Sequence, residues 1–400
     1  MKRILLINDL VNCGGTERQH WMEFKALRQD GYDVYSLTFD PEEALVTEGH
    51  KINYPIPQSD GDKALSRLFV LPKYRFIHSL ISQLKPDYIH LNNTFKIPIT
   101  VFDAIRPYKN VQTARDYGII CPKSTCVHPD YSACRGYTHD NCIKCSLSFS
   151  EFIKYITLRR INHIRTRSCN TIVAPSQALA SACVDNGIAC GCINDMFDFT
   201  AVPQIQASRV EDVTAKQFLY LGAIGERKGI RPLIETFSSL PNDGTWNLVI
   251  AGNLEQAFSA EFQVLMNNVS GLPITYMGSL DHSEALAAIE KAYCVVVPSL
   301  WIENYPNSVL EAIACSTLVI GSNRGGIPEL IGEQSLLFNP LDVNDISQCI
   351  RHVVSLTDSE YQAIVSRKQT EAKSNNNEKR YLAKMIDIAN LPRNTFDEEQ

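Results

Sequence analysis

Short apolar runs recur along the whole chain, separated by stretches in which apolar residues return every three or four positions. In the first half the runs are KRILLIN, YDVYSLTF, DYIHLN, VQTA and TIVAP, and in the second QFLYLG, NLVIAG, ITYMG, CVVVP and TLVIGS. Runs this brief and this apolar fit strands buried on both faces. The stretches 17–29, closed by Gly31, and 283–292 fit amphipathic helices. Strand and helix in alternation predict an α/β chain with parallel sheets. The pattern lapses over 197–216, FDFTAVPQIQASRVEDVTAK, which is expected to link two doubly wound domains. Folds of that kind bind ligands outside the carboxyl ends of their strands, so the site should draw on both halves. No repeat with a period of 20–50 residues is visible, which argues against a solenoid.

A length of 400 residues suffices for two such cores, and 44% hydrophobic with 20% charged residues excludes a disordered chain. Residues 1–200 carry 23 Lys+Arg against 20 Asp+Glu and residues 201–400 carry 15 against 24, so the total of -6 divides into +3 and -9. An acidic total speaks against nucleic acid as a partner, while the basic half suits an anionic surface or acceptor. The start MKRILLINDLV is too short for a signal-peptide core, and no run of about 18 apolar residues would span a membrane. A cytoplasmic location is therefore expected. The 13 cysteines should be mostly reduced there unless a metal gathers some of them.

Candidate chemistry sits where strands give way to helices. After the first strand, NDLVNCGGTERQ offers Gly14 and Gly15 for close backbone approach, and Thr16 with Gln19 fits a capping box opening a helix whose amides attract phosphate. A tight turn would use the same glycines, and neither the dinucleotide nor the P-loop pattern is matched. In QFLYLGAIGERKGIRPLIETF, Arg227 and Lys228 fall in a turn between strand and helix, where two cations suit a diphosphate. In ENYPNSVLEAIACSTLVIGSNRGGIPE, Glu303 precedes a helix start at Pro306 and Asn307, with Asn307 as cap, and Glu311 lies about one turn inside. Amides for a phosphate with a carboxylate on either side for sugar hydroxyls describe a site for a nucleotide sugar. The plain alternative is two glutamates that favour the helix dipole.

These segments together resemble the retaining family 4 glycosyltransferases, in particular those that build bacterial surface polysaccharides. That resemblance implies a GT-B fold, with two doubly wound Rossmann-like domains facing a central cleft. Residues 1–200 would be the acceptor-side domain, 201–377 the nucleotide-sugar domain, and a helix at about 378–392 would pack back on the first. Glu303 to Glu329 resembles the family's E-x7-E segment and its G-G-x-P-E turn. By that likeness Glu311 would hold the ribose and Glu303 the hydroxyls of the transferred sugar, while Asn307, Ser308 and Val309 offer amides to the diphosphate. Gly15 matches the family's phosphate-contacting loop and Lys228 the lysine of its K-G motif. Two positions depart from the pattern: Ala223 stands where many relatives have arginine, and Arg115, before Asp116, stands where many have histidine. Arginine cannot act as a base at neutral pH, so Arg115 would stabilise the leaving phosphate. The implied reaction is same-face displacement without a catalytic metal, the departing diphosphate helping to deprotonate the acceptor hydroxyl. An epimerase of the same fold and a non-catalytic nucleotide-sugar binding protein are the rival readings.

Five cysteines, Cys121, Cys126, Cys134, Cys142 and Cys145, crowd into one segment that ends in C-x2-C, which supplies the ligand count of a structural zinc site; reduced structural thiols are the alternative. Relatives with a similar D-Y-x-x-x-C-P opening often carry cysteines like Cys121, Cys134, Cys142 and Cys145, leaving Cys126 as the spare. Next comes KYITLRRINHIRTRS, with Lys154, Arg159, Arg160, Arg165 and Arg167 among apolar residues. Such a helix suits either an anionic membrane surface, bringing the enzyme to a lipid-linked saccharide acceptor on the inner face of the cytoplasmic membrane, or plain solvent.

Overall fold

The computed structural model describes residues 2–11, 14–47, 49–55, 71–94, 97, 100–134, 136, 141–142, 144–145, 147–202 and 215–389. Two compact units are present. The first comprises Met1–Pro129, Ala133–Met196 and Glu378–Gln400, the second Asp130–Ser132 and Phe197–Asn377.

The first unit holds a parallel sheet of β1 (Arg3–Ile7), β2 (Asp33–Thr38), β3 (Lys51–Asn53), β4 (Tyr88–Leu91), β5 (Asn110–Thr113), β6 (Thr171–Ala174) and β7 (Gly191–Cys192), in the order β3-β2-β1-β4-β5-β6-β7. β1 is central, with Ile4 in register with Val34 on one side and Tyr88 on the other. A strand so enclosed must be apolar throughout, and Ile4 to Ile7 are fully buried. The helix Gly15–Gln29 lays Phe24, Ala26 and Leu27 on this core. The helix Glu378–Ala389 adds Tyr381, Leu382, Met385 and Ile386 to it, so the later part of the chain completes the core of the first unit.

The second unit holds β8 (Lys216–Leu221), β9 (Trp246–Ala251), β10 (Ile274–Tyr276), β11 (Cys294–Val297), β12 (Leu318–Ser322) and β13 (Leu337–Phe338), in the order β10-β9-β8-β11-β12-β13. Its strands are parallel, and the helix Asn307–Ala314 buries Val309, Leu310 and Ile313 in the same core. Part of the expected 197–216 linker needs correction. Phe197 and Val202 are buried in this core, and the Phe197 N–H donates to the Asn376 carbonyl at 2.8 Å. Two apolar anchors among polar residues leave no periodic trace, which is why pattern alone missed them. Residues 203–214 lie outside the described residues, and Lys216 already belongs to β8.

Both sheets have the Rossmann strand order. The direction of winding reverses between β1 and β4 in one and between β8 and β11 in the other, and ligands bind at such points.

Candidate active site

At the reversal point of the second sheet, the loops after β8 and β11 are stitched together by backbone. Gly229 has φ 75°, and a Cβ there would lie 1.9 Å from the Pro298 carbonyl oxygen, so only glycine lets the turn rest against the end of β11. The Arg227 carbonyl then accepts the N–H groups of Leu300 at 2.9 Å and Trp301 at 3.2 Å. This carries Lys228 to Glu303: its Nζ stands 2.7 Å from Glu303 Oε1 and 4.3 Å from the Trp301 ring centre. Ser299 donates to the same oxygen at 2.8 Å. The two charged side chains are 25% and 13% exposed, so water screens them less than a surface pair. Arg227 is half exposed, over the Trp301 ring at 5.3 Å and 3.8 Å from Glu255. At the Ala223 departure, the Tyr220 hydroxyl donates to the Ala223 carbonyl at 2.5 Å. Burial, then the charges of Glu303 and Glu255, push that phenol's pKa up and keep it neutral.

The backbone of Glu303 is clamped from its other side by the G-G-I-P-E turn. The Gly326 N–H donates to the Glu303 carbonyl at 2.8 Å. Gly325, at φ 60°, would drive a Cβ to 2.0 Å from that same oxygen. The helix beyond begins at Asn307 with Pro306 as its N-cap and no side-chain cap, which corrects the expectation that Asn307 caps it. The Val309 N–H is engaged by the Pro306 carbonyl at 3.2 Å, whereas Asn307 and Ser308 open the first turn, where helix geometry supplies no acceptor. Glu311 lies one turn in, its side chain 14% exposed, with His282 Nδ1 3.9 Å from Oε1. His282 heads a helix, expected from 283–292, that opens with a capping box of Asp281 and Glu284; neither the box nor the meeting with Glu311 was read from the sequence. Ser299, Trp301 and Arg324 were missed as well; Arg324 donates to the Leu300 carbonyl, and burial lowers its pKa.

In the first unit, Asn8 ties the loops after β1 and β4 by accepting the Asn93 N–H at 3.0 Å, and Asp40 accepts the Val11 N–H at 2.8 Å. Gly14 has extended backbone, and a Cβ there would meet only Glu17 Oε2 at 3.7 Å, so the fold itself does not demand glycine. The expected Thr16–Gln19 capping box is corrected: the helix starts at Gly15 without a side-chain cap, and Gln19 is buried.

Arg115 is placed otherwise than a phosphate ligand requires. Its side chain is 5% exposed, Nη1 reaches both oxygens of Asp195 at 2.5 and 2.6 Å, and Nε donates to Asn92 at 2.6 Å. Burial disfavours the charge, but Asp195 outweighs it and raises the guanidinium pKa. Asp116 is exposed and accepts the Gly118 N–H at 2.7 Å. Nearby, His90 holds Glu23 through Nδ1 at 2.8 Å and Thr113 through Nε2 at 2.8 Å, and Tyr381 donates to Glu23 at 3.1 Å, all in full burial. Burial pushes Glu23 up, yet the charge and hydrogen bond of His90 hold its pKa below the usual carboxylate range. Burial takes His20, on the same helix as Glu23, down to about 3, so it stays neutral.

Cys121, Cys134, Cys142 and Cys145 line one cavity of about 10 Å³. The Cys126 thiol lies within hydrogen-bonding reach of both Cys121 and Cys134 and lowers each to about 6, whereas burial and the neighbouring thiolates push Cys142 up to about 11. Number and position thus suit a metal. Among the described residues, however, no three Cys, His, Asp or Glu side chains already stand as a ligand group.

Residues 202–371 match the family described as "Glycosyl transferases group 1". O-antigen chain mannosyltransferase B of Escherichia coli is 28% identical over 150 residues, covering 37% of this chain and 39% of the relative. The match thus spans about two fifths of that relative's length. A 42.6 kDa protein of the cps region of Klebsiella pneumoniae is 23% identical over 381 residues, covering 89% of this chain and 94% of that one. Among solved structures, Anabaena HepE in complex with UDP superposes with a TM-score of 0.70 at 16% identity, covering 97% of this chain and 99% of the other, and shares the GT-B fold.

Proposed function

Because residues 202–371 match the family described as "Glycosyl transferases group 1", we propose that this chain is a retaining glycosyltransferase. It moves a hexose from a nucleotide diphosphate sugar to a saccharide acceptor, lipid-linked, in bacterial surface-polysaccharide synthesis. The observation that carries this reading is the 2.7 Å contact between Lys228 and Glu303 at the reversal point of the second sheet, just ahead of the helix Asn307–Ala314. The O-antigen mannosyltransferase relative and the UDP held by HepE support the donor class.

In this reading Lys228, Arg227 and the amides of Asn307 and Ser308 receive the diphosphate, with Val309 closing the first turn behind them. Glu303 accepts hydroxyls of the transferred sugar and Glu311 those of the ribose. An ammonium has three donors, so Lys228 can hold Glu303 and a phosphate oxygen together. As the sugar–phosphate C–O bond breaks, these cations and amides stabilise the growing negative charge. The acceptor hydroxyl forms the new bond on the same face and gives its proton to the departing diphosphate, so no protein base is needed. Gly14 and Gly15 are phosphate contacts on the first unit, where Gly14 leads into the helix Gly15–Gln29. Asp116 contacts the acceptor, and Arg115 acts through the Asn92 and Asp195 side chains that it holds. Labelled nucleotide sugars incubated with lipid extract should give transfer with retained anomeric configuration. Donor isomerised without acceptor, donor bound without turnover, or an inverted product overturns the proposal.

Cys121, Cys134, Cys142 and Cys145 are proposed to hold one structural zinc, with Cys126 outside the ligand set; their common cavity supports this. Purified protein should then carry about one equivalent of zinc, and Cys142→Ser should lose the metal and melt at lower temperature. A zinc content below about a tenth of an equivalent overturns it.

A further inference from the structure

The helix Phe149–Ser168 in the first unit has two faces of different character. Its inner face holds Leu158, buried, Asn162, whose amide donates to the Ile119 carbonyl at 2.6 Å, and Arg165, 5.7 Å from the Phe102 ring centre. Opposite to these, at about 100° per residue, Phe149, Phe152, Ile156, Arg160, His163 and Arg167 share one stripe about 80° wide. Phe149 is 82% exposed, Phe152 48% and Ile156 54%, and Arg160, His163 and Arg167 are exposed too. Of the nine exposed large apolar side chains among the described residues, these are three, and Phe149 is the most exposed of all. The stripe carries no carboxylate. The Ser148–Glu151 capping box fixes the end of the helix that bears the phenylalanines.

We propose that this stripe is a docking surface for an anionic lipid bilayer. Phe149, Phe152 and Ile156 enter the boundary between headgroups and acyl chains, and Arg160 and Arg167 meet lipid phosphates. Apolar residues at one end and cations at the other suit a helix that dips its first turns into the interface. An apolar protein groove would match the first half and leave the cations unmet, whereas an anionic membrane answers both. This deepens the lipid-linked acceptor of the proposed function, but it stands on residues that take no part in donor binding.

The test is co-sedimentation of the full chain with phosphatidylcholine vesicles, with and without phosphatidylglycerol. Binding is expected only to the anionic vesicles and should weaken with salt. Arg160→Gln with Arg167→Gln should weaken it about thirtyfold, at roughly one lipid-phosphate contact each. Phe149→Ser with Phe152→Ser should weaken it about tenfold or more. Val264→Ser, an exposed apolar position in the second unit, should leave binding unchanged. Because the altered side chains are exposed, unchanged circular dichroism melts are expected, as is unchanged transfer to a soluble saccharide acceptor. Equal binding to both vesicle types, no binding to either, or stripe variants that bind like the unaltered chain overturn the proposal. Vesicle binding without any sugar transfer would sink the proposed function and leave this surface standing.

Discussion

Lys228→Ala should lower the rate of sugar transfer about a hundredfold or more, the usual loss when one preorganised partner of a developing negative charge is removed. The fold should survive, because Gly229 and the Arg227 carbonyl, not the lysine side chain, knit the turn to the segment after β11. Glu303 would keep its Ser299 hydrogen bond and its backbone clamp in that variant. The defect should therefore lie in kcat more than in donor binding. Glu303→Gln keeps the shape but weakens acceptance of sugar hydroxyls, so it should depress transfer far more than binding of the bare nucleotide diphosphate. Measured kcat and KM for both variants, beside calorimetric nucleotide binding, check this. Near-normal turnover of Lys228→Ala would remove the lysine from the mechanism.

Asp195→Ala should destabilise the first unit by about 3–5 kcal/mol, because it strands the Arg115 guanidinium in a nearly water-free position. Pairing the change with Arg115→Met should recover most of that loss, since an apolar replacement of both partners of a buried ion pair is often neutral. Urea unfolding followed by a probe in the first unit measures both variants. A shift under about 0.5 kcal/mol for Asp195→Ala, the range of ordinary surface changes, would mean that the pair does not support the fold. The same experiment separates two roles for Arg115: a stability loss that parallels the transfer loss marks it as a positioning residue.

Ten of the thirteen strands among the described residues were readable as apolar runs, and the three that were not, β3, β7 and β13, are edge strands of two or three residues. An edge strand is enclosed by fewer neighbours and needs no apolar run to be stable there, so Lys51–Asn53 and Gly191–Cys192 leave no signal. Around the candidate site, Lys228, Glu303, Asn307 and Glu311 were legible because cations, amides and carboxylates near helix starts have a chemical reason to be there. Ser299, Trp301 and His282 were not, since serine, tryptophan and histidine in loops or at helix starts have many uses. The buried set of His20, Glu23 and His90 was equally hidden: on a helix or strand of unknown neighbours, a polar residue reads as solvated.

Hydrophobic spacing alone thus determined the α/β class, the parallel sheets and the location of the candidate chemistry at strand ends, because burial on both faces of a strand constrains every residue in it. Only the tertiary structure decided which of those charges are available. It turned Arg115 into a closed pair with Asp195, joined Lys228 to Glu303 and set Phe149, Phe152 and Ile156 on the solvent side of their helix. The physical reason is that periodicity reports the environment along a chain, whereas a charge is answered by whichever partner the folded chain brings within about 4 Å, however far away in sequence.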